Sequence, residues 1–205
     1  MGYDFDLTHQ KILESAKKFF MEIGFQKASI RQICGDAGVT NGAFYAHFGS
    51  KEDLFIALVE PAISGLKELY AGESNRYMEL HSREDVITAM EQAFSSDTIM
   101  IHYIYEQSDA FCLILQASEG TAYADFKEQI IGEEKKITMA FLKECGPYIG
   151  NPGNISDNLI AQICSVIVSS VFDGFLSGEP EERTIRETQL ASEFCLAGLK
   201  QILSI

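Results

Sequence analysis

Tryptophan is absent from this 205-residue chain, so quenching of tryptophan fluorescence cannot report on anything it binds. Also missing are the signatures of several enzyme classes. There is no glycine-rich phosphate loop, no G-x-S-x-G elbow and no H-E-x-x-H. The four histidines, His9, His47, His81 and His102, are far apart in sequence, and the many carboxylates are scattered as on a solvated acidic surface. These absences lead to the expectation of a non-enzyme without cofactor or metal. Cysteines number five, at 34, 112, 145, 164 and 195, and no C-x-x-C pair occurs. They read as free thiols in a reducing compartment, mostly small core residues, with a redox sensor as the alternative. No apolar run of bilayer-spanning length is expected, and MGYDFDLTHQ lacks the basic and apolar regions of a signal peptide. A cytoplasmic protein with no membrane partner follows as the expectation. Positive charge is in short supply: 16 Lys and Arg stand against 30 Asp and Glu, a net of −14. Repeats and low-complexity segments are absent too.

What is present is concentrated in Ser29–Phe48, SIRQICGDAGVTNGAFYAHF. Ser29 with Gln32 is a capping box, so a helix starts at Ile30. Ile30, Ile33, Cys34 and Ala37 recur on one apolar face, and Gly38 follows where a helix end needs a left-handed residue. Thr40 caps a second helix that buries Phe44 and Phe48. Thr40, Asn41, Gly42, Ala43, Tyr45 and His47 are left for the other side. Small residues permit close backbone approach, while hydroxyl, amide and imidazole groups suit base edges and phosphates. Two helices joined this way form a helix-turn-helix, whose second helix enters the major groove. An ordinary helical hairpin within a bundle has the same spacing.

The flanks extend the pattern. Thr8 is read as the cap of a first helix carrying Ile12, Leu13, Ala16, Phe19, Phe20 and Ile23, stopped by Gly24. Ser50 with Asp53 makes another capping box, and Leu54, Phe55, Leu58 and Val59 begin the next stripe. The run Gly24-Phe25, Ser29-Ile30-Arg31, Ile33, Ala37-Gly38-Val39, Gly42, Phe44-Tyr45, His47-Phe48 and Ser50-Lys51-Glu52-Asp53-Leu54 resembles the TetR family of bacterial transcriptional regulators. The motif covers about the first quarter of the chain; the remainder matches only in length and helical character. The resemblance implies a homodimer that binds double-stranded operator DNA and releases it on binding a small molecule. One position departs: many members carry Lys or Arg just after the recognition-helix cap, where this chain has Asn41.

These readings give an all-α fold with a helix-turn-helix domain at 1–50 and a helical ligand-binding and dimerisation domain at 51–205. The expected function is a TetR-like regulator, a ligand-released repressor. A ligand-independent regulator, an activator, or an interaction module that no longer binds DNA is the alternative. Ser29, Arg31, Thr40, Asn41, Gly42, Ala43, Tyr45, His47 and Lys51 are the expected DNA contacts. Residues 1–49 are charge-neutral, so the acidic excess lies later, and a neutral head can bind if its donors are placed by geometry.

Beyond residue 50 the pattern stays helical. Pro61 interrupts the fourth helix, Ser82 with Asp85 caps the next, Asp97 opens a separate segment through Glu106, and Ser108 opens another. A long helix is read from Tyr123 to Cys145, then a loop including Asn151-Pro152-Gly153-Asn154, then helices over 155–176 and 182–203. Aromatic and polar-tipped residues suggest a pocket at Phe94, His102, Tyr103, Glu106, Phe111, Gln116 and Tyr123, although a buried aromatic stripe looks the same. His102 and Glu106 at i, i+4 read as a polar pair rather than a metal site, for want of a third ligand nearby. Ile163, Ile167, Val171, Phe175, Phe194, Leu199 and Ile202 are assigned to a four-helix dimer interface, against the reading that both helices are core.

Overall fold

The computed structural model describes the backbone of residues 2–74, 80–150 and 155–205, and the side chains of 5–72, 80–92, 98–150 and 155–205. The loop Asn151-Pro152-Gly153-Asn154 and the Phe94 side chain lie outside them. Among the described residues every regular element is helical: α1 (Gly2–Lys27), α2 (Ile30–Ala37), α3 (Asn41–His47), α4 (Lys51–Ser74), α5 (Arg83–Glu106), α6 (Ser108–Gln116), α7 (Phe126–Cys145), α8 (Asp157–Leu176) and α9 (Glu181–Leu203), with a 3-10 turn at Gly146–Tyr148. The chain divides into two compact units. One comprises Met1–Gly65 with Gln107–Phe126; the other comprises Leu66–Glu106 with Lys127–Ile205.

In the N-terminal unit, local chemistry fixes each helix end. Ser29 accepts from Gln32 N while Gln32 Oε1 accepts from Ser29 N, so the box is complete. Gly38 closes α2 at φ 68°, a conformation that costs any residue with a Cβ. Thr40 Oγ1 accepts from Ala43 N at 3.1 Å. Ile12, Phe20, Ile33, Phe44, Leu54 and Phe55 are fully enclosed and form the core around which α1, α2 and α3 pack. Segment 107–126 belongs here as well. Phe25 N donates to Ala117 O, Lys17 pairs with Asp109 at 2.6 Å, and Tyr123 donates to Glu60 at 2.7 Å.

The second unit is built on α5, α8 and α9, with α9 packed against both others. Val86, Met90, Phe141, Cys145, Ile160, Cys164, Leu199 and Leu203 form its core. Tyr105 hydroxyl bonds Glu179 O and Thr184 Oγ1 beside Gly174.

Five sequence expectations need correction. Thr8 is not a cap, because α1 already runs from Gly2; Gly24 does break it, at φ 79° and ψ 161°. Pro61 sits inside a continuous α4, where buried Phe55, Val59, Ala62, Ile63 and Leu66 hold the helix past the missing bond. Asp97 starts nothing, since α5 runs unbroken from Arg83 to Glu106. Helix α7 starts at Phe126; Thr121 and Tyr123 are taken up in turns closed onto Ser118. Finally, α8 is long and apolar enough to cross a membrane by length and composition. The reading of no such run overlooked it because Asp157 and Asp173 stand at its two ends.

Candidate nucleic-acid interface

The second helix of the helix-turn-helix is held from beneath. Phe44 is fully buried and Phe48 nearly so, their ring centroids 5.8 Å apart. That docking turns Thr40, Asn41, Gly42 and Tyr45 to solvent, with Ala43 half-buried between them. Tyr45 is 59% exposed and rests edge-on against Phe44. The face combines two small residues, an amide, a phenol and a threonine whose hydroxyl hydrogen is not used by its cap.

His47 ends the helix half-buried. Its ring lies tilted against Phe5, centroids 3.9 Å apart, and 5.4 Å from His9, which in turn stacks on Phe48. Burial, then the neighbouring His9, pulls the His47 pKa below the usual imidazole value. Its Nδ1 is enclosed and has no hydrogen-bond partner among the described residues. Sequence reasoning missed Phe5, which lies before the expected helix start, and His9, which follows its expected cap.

Arg31 is exposed at the first turn of α2. Among the described residues it makes no ion pair, whereas Lys18 is taken by Asp36 and Lys17 by Asp109. Ser29 is less available than the sequence suggests. Its hydroxyl donates to Gln32 Oε1 at 2.6 Å and accepts from Gln32 N, so capping occupies it. Lys51, expected on a phosphate, is turned inward. Its ammonium donates to Phe25 O at 2.7 Å, Ala28 O at 2.9 Å and Gln26 O at 3.4 Å, and lies 4.2 Å from the Phe25 ring centre. Burial lowers its pKa. Three carbonyls occupy its three donors, and a phosphate would have to compete with them.

The residues assigned to a pocket are divided between the two units. Phe111 is buried in the N-terminal core, Gln116 is exposed, and Tyr123 is held by Glu60. Burial, then that carboxylate, pushes the Tyr123 pKa up to about 12. In the second unit, exposed His102 lies between Glu181, 2.9 Å from Nδ1, and Glu106, 3.2 Å from Nε2. The Glu181 hydrogen bond, then the Glu106 charge, raises its pKa. Tyr103 is half-buried, and burial raises its pKa. No group of three or more His, Cys, Asp or Glu among the described residues is arranged for a metal. A cavity does exist in this unit, lined by Leu66, Tyr70, Met100, Ile104, Ile130, Glu134, Ile167, Val168, Val171 and Phe172. None of these was among the residues assigned to a pocket.

The interface residues separate by face. Val171, Phe175 and Leu199 are buried within this chain, while Ile163, Ile167 and Ile202 are half-buried. Phe194 is 81% exposed, with Leu190 on the same stripe of α9 and Val166 exposed on α8. Leu190 and Val166 were missed, although Leu190, Phe194, Ala197 and Gln201 follow helical spacing. The cysteines are all free, and burial raises their pKa values, Cys145 to about 12, so none has the lowered pKa of a reactive thiol.

The chain has relatives. Residues 12–58 match the family described as bacterial regulatory proteins, tetR family. The HTH-type transcriptional repressor BepR of Brucella suis is 34% identical over 178 residues, covering 83% of this chain and 79% of that protein. The repressor AcnR of Corynebacterium glutamicum is 37% identical over 62 residues, 30% of this chain and about a third (33%) of AcnR's length. The crystal structure of NalD, secondary repressor of the MexAB-OprM multidrug efflux pump in Pseudomonas aeruginosa, superposes with a TM-score of 0.65 at 18% identity, covering 95% of this chain and 96% of that one. With the helix-turn-helix built as described and one relative matched over most of both lengths, the chain belongs to the TetR family of transcriptional regulators.

Proposed function

We propose that the protein is a homodimeric repressor that places α3 of each protomer in successive major grooves of an operator and leaves it when a small molecule binds the second unit. The observation that carries this is the outward face of α3. Phe44 and Phe48 are buried beneath it, while Asn41, Gly42 and Tyr45 are presented to solvent. In this reading Thr40, Asn41, Gly42 and Ala43 approach base edges, and Tyr45, His47 and Arg31 contact phosphates, with the α3 N-terminal amides assisting. Ser29 supports the site by capping α2, and Lys51 by tying α4 to the α1–α2 junction.

Cover for Phe194, Leu190 and Val166 supports the dimer. A stripe this apolar on α9, beside an α8 of which 28% of the apolar window is buried, suits a second copy related by a two-fold axis. Release follows as a population shift. Helix α4 contributes Leu54 and Phe55 to the N-terminal core and Leu66 and Tyr70 to the cavity lining. A ligand that prefers one position of α4 therefore biases the spacing of the two heads, which must be about 34–36 Å or a multiple.

The test is selection from a random duplex library, followed by affinity measurement over a salt series. Enrichment of a palindrome with half-sites a whole number of turns apart is expected. Tyr45→Phe should weaken binding to all duplexes alike, whereas Asn41→Ala should relax preference at particular bases. No enriched duplex would leave the helical interaction module as the reading.

A further inference from the structure

We propose that the cavity of the second unit takes a small lipophilic cation, an alkyl or aryl amine, with its charge set against Glu134. This rests on reading the protein as a ligand-responsive regulator and names the ligand's chemistry. The cavity lies among α4, α5, α7 and α8 and measures about 30 Å³. Its wall is aliphatic and aromatic, represented by Leu66, Met100, Ile130 and Phe172; Tyr70 and Glu134 are the lining residues that carry polar groups. No lysine, arginine or histidine lines it.

That wall discriminates by charge. An incoming carboxylate or phosphate would face Glu134 with no cation in the lining to offset the repulsion, in a medium where burial magnifies it. An ammonium finds an acceptor there. An ionised carboxylate offers about four lone-pair sites, so a new donor can be accommodated beside existing ones. The field of Glu134 reaches the buried face of α8. Cys164, its thiol raised first by burial, is raised further by the Glu134 charge. The protein's net charge of −14 favours cations in its vicinity.

Size decides how the ligand enters. A volume of about 30 Å³ holds one or two waters, whereas ligand pockets usually exceed about 300 Å³. Occupation therefore requires the walls to part. Met100, unbranched and half-buried, is the lining residue best able to swing aside. Leu66 and Tyr70 belong to α4, so parting the walls displaces the helix that continues into the N-terminal unit.

The experiment uses the full-length protein and three probes of one chain length: octylammonium, octanol and octanoate. Binding is measured by calorimetry, and operator retention is followed in the same solutions. Octylammonium is expected to bind most tightly and octanoate least. Glu134→Gln should weaken octylammonium at least about tenfold, the loss of a charge-assisted hydrogen bond, and leave octanol within about twofold. Ile167→Trp, at a half-buried lining position, should block all three. Octanoate binding as tightly as octylammonium, octylammonium indifferent to Glu134→Gln, binding that survives Ile167→Trp, or no binding by any probe would overturn the assignment. Glu134-dependent binding that leaves operator affinity unchanged would uphold the ligand class while removing the release mechanism.

Discussion

Replacing Lys51 by methionine separates two roles that charge alone cannot distinguish. The stem is retained and the sulfur can stay on Phe25, so the change removes chiefly the ammonium and its bonds to Phe25 O and Ala28 O, with the weaker one to Gln26 O. A hydrogen bond to a charged group contributes about 1.5–3 kcal/mol, and the cation over the Phe25 ring about 0.5–1 kcal/mol more. Water can reach part of this site and will rehydrate freed carbonyls, which brings the expected loss to about 2–3 kcal/mol. Urea denaturation followed by helical circular dichroism, at one fixed protein concentration, measures it. The same variant is then titrated onto operator DNA at several salt concentrations. Because the ammonium points into the protein, the salt slope should stay within experimental error. A lysine neutralising a phosphate on each head would instead flatten the slope by about 0.9 per head. Unchanged stability together with a flattened slope would refute the inward assignment and return Lys51 to the DNA.

Phe194→Glu should convert the proposed dimer to a monomer in sedimentation velocity while leaving helix content intact, since the ring lies outside this chain's own core. Gly174→Ala should destabilise by about 1–2 kcal/mol in urea: the new Cβ falls 2.7 Å from Thr184 Oγ1, and overpacking outweighs the gain in helix propensity. The two perturbed histidines should act with opposite sign on stability. His102, raised in the folded state, contributes stability below its unfolded value of about 6.5 that fades as pH rises through its folded value. His47, lowered, contributes above about 6.5 and loses that contribution as pH falls through its folded value. Stability profiles of His102→Gln and His47→Gln over pH 5–8 should therefore tilt away from the parent in opposite directions, and tilts of one sign would contradict the geometry.

The helix-turn-helix was legible because its determinants are local. Ser29 with Gln32, Gly38, Thr40 and Ser50 with Asp53 each act within four residues, and the structure contains every one of those caps. Local signals were ambiguous elsewhere. Asp97 has the chemistry of a cap, yet sits within a helix whose apolar stripe continues to Ile101 and Ile104. Pro61 likewise looks like a break, and tertiary burial on both sides overrides it. Side-chain fates were harder still. The charge of Lys51 does not reveal which acceptor the fold will bring to it. Phe111 and His102 lie nine residues apart in sequence yet belong to different units, a division that the sequence pattern does not mark.

The apolar character of α8 and α9 is where sequence and structure must be combined. Thr184, Thr188, Ser192, Cys195, Leu199 and Leu203 turn inward at regular helical spacing, which uses one side of α9. Leu190 and Phe194 occupy another side and are 57% and 81% exposed. Leaving a phenylalanine so exposed forgoes most of the roughly 2–3 kcal/mol that burial would contribute. A bilayer would cover the apolar surface of α8, but Asp173, 64% exposed and paired with Lys127, would have to enter it at a cost of about 2.5–3.5 kcal/mol. A second copy offers cover without that penalty. Val166, Leu190 and Phe194 are exposed apolar residues that such a copy would cover. The apolar surplus of α8 is therefore surface that the proposed homodimer would cover.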